Sequence, residues 1–463
     1  MFSRPLFRSD PWTDPSLRKM AGVMLALVML TGTGCSEGEF SRKSNDAERG
    51  TRVVLITLDT MRRDTLEGRG SGDSAMPLTQ AWARRGLTLN RHYAASSTTE
   101  PTHASLMTGL SPWQHGVSRN GLVLDGKYTT LAEIYSQNDY RTGAVVSSFP
   151  VHRTFGFEQG FEKFDDEFEI VVTQEWSGKV VPKGAFYTLG DSITSKALSM
   201  IDELAGPRQF FWFHYFDLHE PYGDAAKDKK TLRLNDVYSR IEAGDIGVRD
   251  FVSLTKERYE DDARVLDKQL DRLFTRLVAD ADRVDTHILV VSDHGESFGE
   301  DNSLGHGKRL GDELIHVPCF LISPSVSPGR SSVPVGSVDV PVTLLALSGL
   351  DGIEGLGRDV TQPLDPERTV FGMRRTFEKP FRELRLDGEH HLIDKLEFFY
   401  ADAGGVTTGN EESVVRRPPS TSFDGEAARA LFGVFTKELS GTAVNAAVDD
   451  ETRAALEALG YVQ

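Results

Sequence analysis

The sequence predicts an α/β protein: a mostly parallel sheet covered by helices on both faces, with a small C-terminal α+β subdomain. Three observations point there. Five short apolar runs read as strands buried on both faces. Helical patterns alternate with them. Acids and histidines follow where several of those strands end, and in open α/β sheets ligands bind outside the carboxyl ends of the strands.

The strand candidates are 52-RVVLITL-58, 142-TGAVVSS-148, 209-QFFWFHYF-216, 286-THILVVS-292 and 317-VPCFLIS-323. Helices are expected at 129–137, 191–204 and 256–280. In the last, Tyr259, Ala263, Leu266, Leu270, Leu273 and Leu277 recur at helical spacing with charges elsewhere, the pattern of a surface helix packed on a sheet. After about residue 365 the pattern changes. Residues 368–402 read as short strands, 411–422 as a loop and 424–437 as a helix. His390 and His391 fit a surface or strand-end position better than a metal site.

The N-terminus stands apart. Arg18 and Lys19 precede an apolar run from Met20 to Leu30, too short to span a bilayer but suited to the core of a secretory signal. The tail that follows, from Leu30 through small residues to Cys35, resembles a bacterial lipoprotein signal, although Gly32 stands where an aliphatic residue is usual. The domain order is therefore a leader over 1–35, lipidated at Cys35 or simply cleaved or retained, a polar tether over 36–50, a catalytic domain over 51–365 and the C-terminal subdomain over 366–463. An exported protein is expected, anchored to a membrane through lipid or secreted.

Composition sets further bounds. The chain has 463 residues, 39% of them apolar, enough for a sizeable core. With two cysteines there is no disulfide framework, and Cys319 within an apolar run reads as a buried thiol. The formal charge of −17 argues against nucleic acid as a partner. A local cationic pocket for an anion remains compatible with it.

The first strand runs into 56-ITLDTMRRD-64, placing Asp59 at a carboxyl end. Alone, Asp59 reads as a helix cap or a metal ligand. The strand 286–292 repeats the arrangement with Asp293 and His294, and oxygen plus imidazole suits Mg, Mn, Ca or Zn. His214, Asp217 and His219 cluster where a third strand ends. His306 and Lys308 lie in the Gly-rich stretch 304-LGHGKRLGDE-313, which lacks the spacing of a nucleotide phosphate loop. Singly each His is structural; converging on strand ends, they read as an anion site.

The stretch 95-SSTTEPTHASLMTGL-109 carries two hydroxyls before a proline. Pro101 suits a first helical turn, which puts Thr99 or Glu100 near the N-cap of a helix over 101–108. Such a helix aims amides and positive dipole at a bound anion. Thr99 is then an ordinary cap, or a hydroxyl activated by a metal on Asp59, Asp293 and His294.

Taken in order, VVLITLDTMRRD, TTEPTHASLMTGLSPWQHGV, FHYFDLHEPYG, SDHGESFGEDNSLGHGKRLGDELIHVPCFLISP, DVPVTLLALSGL and the closing LEALGYV resemble the sulfatase branch of the alkaline phosphatase superfamily, over nearly the whole chain after the leader. The resemblance implies an alkaline-phosphatase-like sheet with one divalent metal at strand ends, held by Asp59, Thr99, Asp293 and His294. Thr60 falls where two-carboxylate members carry a second acid and is a further candidate ligand. Thr99 falls on the nucleophile position. His219 and His306 fall on catalytic positions, His103, Lys308 and His214 on or beside substrate positions, and Arg62 and His115 beside them. A second metal on Asp217, His219 and His306 is a further option.

One departure matters. Sulfatases of this family mature a Cys or Ser in Cys-x-Pro-Ser-Arg to formylglycine, and here the pattern is Thr99-Glu-Pro-Thr-His103. Threonine nucleophiles are typical of phosphate-handling relatives. The resemblance therefore implies a metal-dependent hydrolase of phosphate mono- or diesters, or related sulfate esters, on a small-molecule, glycan or lipid substrate. A phosphoryl head-group transferase of the envelope and an inactive binding protein are the alternatives.

Overall fold

The computed structural model describes residues 49–417, apart from 69–72, 172–173, 177–178, 182–184, 227–231, 234–239, 241–242, 245, 301–303, 354, 377–394, 403 and 410–413. The leader with Cys35, the tether to residue 48, His390 and His391, and the helix expected over 424–437 lie outside the described residues. No helix among the described residues is long and apolar enough to cross a membrane.

Eight strands form the central sheet: β1 (Gly50–Leu58), β2 (Leu87–Leu89), β3 (Arg141–Val145), β4 (Lys163–Asp165), β5 (Arg208–Tyr215), β6 (Val284–Ser292), β7 (Cys319–Ile322) and β8 (Gly329–Ser331). Their spatial order is β8-β2-β7-β6-β1-β5-β3-β4. β1 is central and pairs in parallel with β5 and β6. β3 and β4 extend the parallel run, whereas β7 is antiparallel to both β6 and β2. Pro318 helps to start β7 at Cys319: it has no N–H for a ladder, and its carbonyl accepts from Ser292 N at 3.1 Å.

Because successive side chains alternate across a strand, β1 feeds two cores. Val53 and Leu55 join one core with α2 (Thr99–Thr108), α3 (Leu131–Gln137) and α6 (Asp339–Leu347). Val54, Ile56 and Leu58 join the other with α1 (Pro77–Ala83), α4 (Gly190–Glu203) and α5 (Val248–Leu277). The stripe expected on α5 is buried as read, though the helix begins earlier, at Val248, and stops at Leu277. α3 begins at a capping box: Thr130 Oγ1 accepts from Glu133 N at 3.2 Å, and Glu133 Oε2 accepts from Thr130 N at 2.8 Å.

Beyond the main sheet, β9 (Val370–Thr376), β10 (Lys395–Asp402), β11 (Gly405–Gly409) and β12 (Val414–Arg417) form an antiparallel meander. β12 lies where a loop over 411–422 was expected; residues 414–417 are Val-Val-Arg-Arg, whose branched apolar start suits a strand. The meander is packed through Val370, Phe399, Ala401 and Val406 against Tyr93, Leu314 and Ile315.

Candidate active site

Strand register builds the centre of the site. Leu58 lies opposite Ser292 on β6 and Tyr215 on β5, so the chains leave the sheet level with one another and Asp59 emerges beside Asp293. After Asp59 the chain turns at Thr60, whose φ of 53° is unusual for a residue with a Cβ. Two hydrogen bonds hold that turn: Thr60 N donates to Asp293 Oδ1 at 3.2 Å, and Tyr259 Oη donates to Thr60 O at 2.9 Å.

Oxygen and nitrogen donors from Asp59, Asp293 and His294 lie within 4.8 Å of one another. His294 Nε2 is 3.4 Å from Asp293 Oδ2 and 3.8 Å from Asp59 Oδ1. Its other nitrogen, Nδ1, meets the Gly295 carbonyl at 3.0 Å, which leaves Nε2 facing the acids. Both Asp59 carboxylate oxygens, Asp293 Oδ2 and Thr60 Oγ1 are buried with no hydrogen-bond partner. Burial pushes both carboxyls above their ordinary value, and for Asp293 the neighbouring Asp59 adds to it. Buried carboxylates of this kind are unfavourable unless a cation neutralises them, so this donor set fits a divalent metal.

Thr99 comes to the same point from the start of α2. α2 begins at Thr99 itself, with Thr98 as N-cap, two residues earlier than the expected 101–108. Thr99 is thus the first helical residue and not the cap. Its Oγ1 lies 3.3 Å from His294 Nε2. The backbone N–H of Glu100 is held by Asn120 Oδ1 at 2.9 Å, so that amide is not free for an anion.

His103 and His214 line the floor. A chain of donors fixes His103: Trp212 Nε1 donates to Thr57 Oγ1 at 2.9 Å, Thr57 Oγ1 meets His103 Nε2 at 3.1 Å, and His103 Nδ1 donates to Thr99 O at 2.9 Å. His103 therefore holds the backbone of Thr99. His214 Nδ1 meets Ser147 Oγ at 2.8 Å, and its Nε2 is 3.7 Å from Asp59 Oδ2. Burial pushes both imidazoles down to about 3, so both are neutral at physiological pH.

On the outer side, the His306 ring lies 4.5 Å from that of His294 and 4.9 Å from that of His219. Phe216 stacks on His219 at 4.3 Å. His306 Nδ1 is 3.2 Å from Glu296 Oε2, and Tyr222 Oη donates to the same oxygen at 2.7 Å. Burial drives His306 and His219 well below the ordinary imidazole value. With neutral imidazole, Nδ1–H donates to Glu296 and the second nitrogen, Nε2, carries the lone pair. Lys308 Nζ bonds back to Leu304 O at 3.3 Å, so the 304–308 loop is closed on itself.

Three expected residues are placed elsewhere. His115 bonds Ser105 Oγ and accepts from Val117 N, both at 3.1 Å, and so braces the flank of α2. Arg62 is committed to Asp64, Glu300 and the Glu296 carbonyl, 2.6 Å from Nη1, where it steadies the segment after His294. Asp217 caps α4: its Oδ1 accepts from Gly190 N at 2.9 Å. Asp217, His219 and His306 are not gathered as a second metal group among the described residues.

Glu296 carries no role in the sequence reading, although it stands two residues past His294. A carboxyl that close to a strand-end Asp-His pair was the available signal. Two of its partners, Tyr222 and His306, come from separate loops, and no local pattern links them.

A family model described as Sulfatase matches residues 51–350. An ulvan-active sulfatase of Formosa agariphila is 24% identical over 370 residues, 74% of this chain and 71% of that protein. Among solved structures, a phosphonate monoester hydrolase from Silicibacter pomeroyi superposes with a TM-score of 0.59 at 18% identity, over 84% of this chain and 94% of the other. A putative sulfatase from Bacteroides thetaiotaomicron does so with a TM-score of 0.59 at 14% identity, over 85% and 93%. These likenesses agree with the mostly parallel sheet and its flanking helices.

Proposed function

The chain belongs to the sulfatase family of ester hydrolases, and on that footing we propose that it cleaves phosphorus esters through Thr99 with one bound divalent metal. The observation that carries this is the 3.3 Å approach of Thr99 Oγ1 to His294 Nε2, beside three carboxylate oxygens, both of Asp59 and Oδ2 of Asp293, that are buried with no hydrogen-bond partner. Asp59, Asp293, His294 and Thr99 would hold the ion, with Thr60 Oγ1 as a further donor. The ion supplies positive charge that favours the Thr99 alkoxide and the developing oxyanion.

Threonine also bears on which ester is used. Its Cβ carries a methyl, so oxidation there yields a ketone; the aldehyde hydrate that ejects sulfate by elimination is out of reach. A direct displacement is left. Thr99 Oγ1 forms a bond to phosphorus as the bond to the leaving oxygen breaks, giving phosphothreonine. Water then attacks that phosphorus, releasing the phosphate product and restoring the Thr99 hydroxyl.

His306 is the proton donor to the leaving oxygen in this reading. Glu296 holds its Nδ1 and directs Nε2 into the site. An anionic substrate beside the ring favours the protonated form, against the burial that lowers it in the free protein. His219 and Lys308 would offset charge on the other oxygens, and His103 and His214 would keep Thr99 and Asp59 in place. An exported address, with or without lipid at Cys35, belongs to the same reading; mass spectrometry of the mature N-terminus tests it.

The decisive experiment offers the purified protein, with Mn or Zn, an aryl phosphate, phosphodiester, phosphonate and sulfate. Turnover of a phosphorus ester, with phosphate trapped on Thr99 after acid quench, is the expected result. Turnover of the sulfate alone, or full activity in Thr99→Ala, would sink it.

A further inference from the structure

The C-terminal meander has no part in the chemistry above, yet β9 touches two walls of the site. Met373 N donates to the Ala95 carbonyl at 2.9 Å. Gly372 allows that approach, since a Cβ there would fall 2.5 Å from Ala95 O and 2.3 Å from Phe399 Cε1. β9 therefore lies directly against the segment that leads through Ser96 and Thr98 into Thr99.

One residue further on, Arg374 reaches the other wall. It is 1% exposed. Its Nη1 donates to the carbonyl of Gly307, and its Nε donates to Glu397 Oε2 at 2.9 Å. Glu397 is its register partner on β10. Gly307 has a φ of 74°, and a Cβ on it would lie 3.0 Å from Thr98 Cγ2. The loop carrying His306 and Lys308 is thus pressed between Arg374 on one side and Thr98 on the other.

A buried guanidinium is costly unless it is paired and its donors are used. Here Glu397 matches the charge, and the remaining fork is turned on a backbone carbonyl between two active-site side chains. Arginine suits this because its donors point in fixed directions, whereas lysine offers a single flexible ammonium.

We propose that Arg374 is a positioning residue: with Glu397 it holds the Gly307 carbonyl, so that β9 sets His306 beside His294. The proposal rests on the reading of His306 as proton donor. It makes the C-terminal meander part of the machinery that places the leaving-group acid.

The test compares wild type, Arg374→Gln and Arg374→Lys on two phosphorus esters that differ only in leaving group, one an acidic nitrophenol and one an alkyl alcohol. Proton donation matters for the second and little for the first. The expected result for Arg374→Gln is a kcat loss of about 100-fold on the alkyl ester and a much smaller loss on the nitrophenyl ester. In a His306→Ala background the same change should cost almost nothing further. Equal losses on both esters, or full additivity with His306→Ala, would overturn the proposal. Hydrogen exchange of the 304–308 amides gives a second readout. Faster exchange there, with β9 and β10 protected as in wild type, supports the clamp; unchanged exchange refutes it. If wild type turns over none of the esters, the functional reading falls and the exchange result alone decides the clamp. If Arg374→Gln does not fold, Arg374→Lys is judged by the same measurements.

Discussion

Thr99 Oγ1 lies 3.3 Å from His294 Nε2. The first residue of α2 and the second residue after β6 are thereby brought to one point, 195 positions apart in the chain. The contact makes Thr99 the hydroxyl that shares the acids' neighbourhood, while Thr98 Oγ1 turns back to Ser96 Oγ at 3.1 Å.

Thr99→Ala should lower kcat/KM by roughly 10³-fold or more, as for other displaced nucleophiles. Thr99→Ser keeps the oxygen and should stay within about 10-fold of wild type. Thr98→Ala should be nearly silent. Steady-state rates on the best phosphorus ester decide this, and an active Thr99→Ala protein counts against a covalent route.

Chelation should abolish turnover and also lower the melting temperature, because Asp59 and Asp293 are then left buried beside each other. At 100 times the dissociation constant, a bound ion contributes about 3 kcal/mol to stability. Asp59→Asn should weaken metal binding yet make the metal-free protein melt higher than metal-free wild type. Melts with and without chelator report both; a wild-type midpoint indifferent to chelation speaks against the site.

Asp217 caps α4 through the amide of Gly190. Asp217→Ala should destabilise the protein by about 1 kcal/mol through the start of α4, and metal per chain should stay unchanged. Urea unfolding and metal analysis of the same sample separate the two; loss of one equivalent of metal would restore the second-site idea.

The buried Arg52 guanidinium meets Asp280 at 2.8 and 2.9 Å. That hydrogen bond holds the Asp280 carboxyl below its ordinary value of 3.8. A carboxyl depressed in the folded state adds stability above its unfolded value, lost as pH falls through the folded one. Asp280→Asn should therefore cost about 2 kcal/mol at neutral pH, and the difference should shrink below about pH 4. Denaturant midpoints across that range check the sign; a gap that widens in acid would contradict it.

Much of the frame was legible because it is local. Continuous apolar runs mark β1, β5 and β6, and Asp59, Asp293 and His294 stand in sequence just past β1 and β6. α5 was legible from its 3.6-residue stripe. The start of α2 was misread by two residues because Pro101 fits the first turn of a helix at more than one position. Arg62 and His115 were placed by motif proximity, whereas their partners, Glu300 and Ser105, are set by packing. Asp217 followed a strand as Asp59 does, but the amide of Gly190 reaches it first.

What the sequence determined by itself is the sheet, the acids at its carboxyl edge and a threonine in place of a formylglycine precursor. These follow from side-chain periodicity and chain order. Tertiary structure decided which hydroxyl meets His294, that Glu296 and Tyr222 hold His306, and that Arg374 closes the His306 loop from a separate sheet. Those contacts join segments up to 195 residues apart, and burial makes each one obligatory, since a buried polar group must find its partner wherever the fold supplies it.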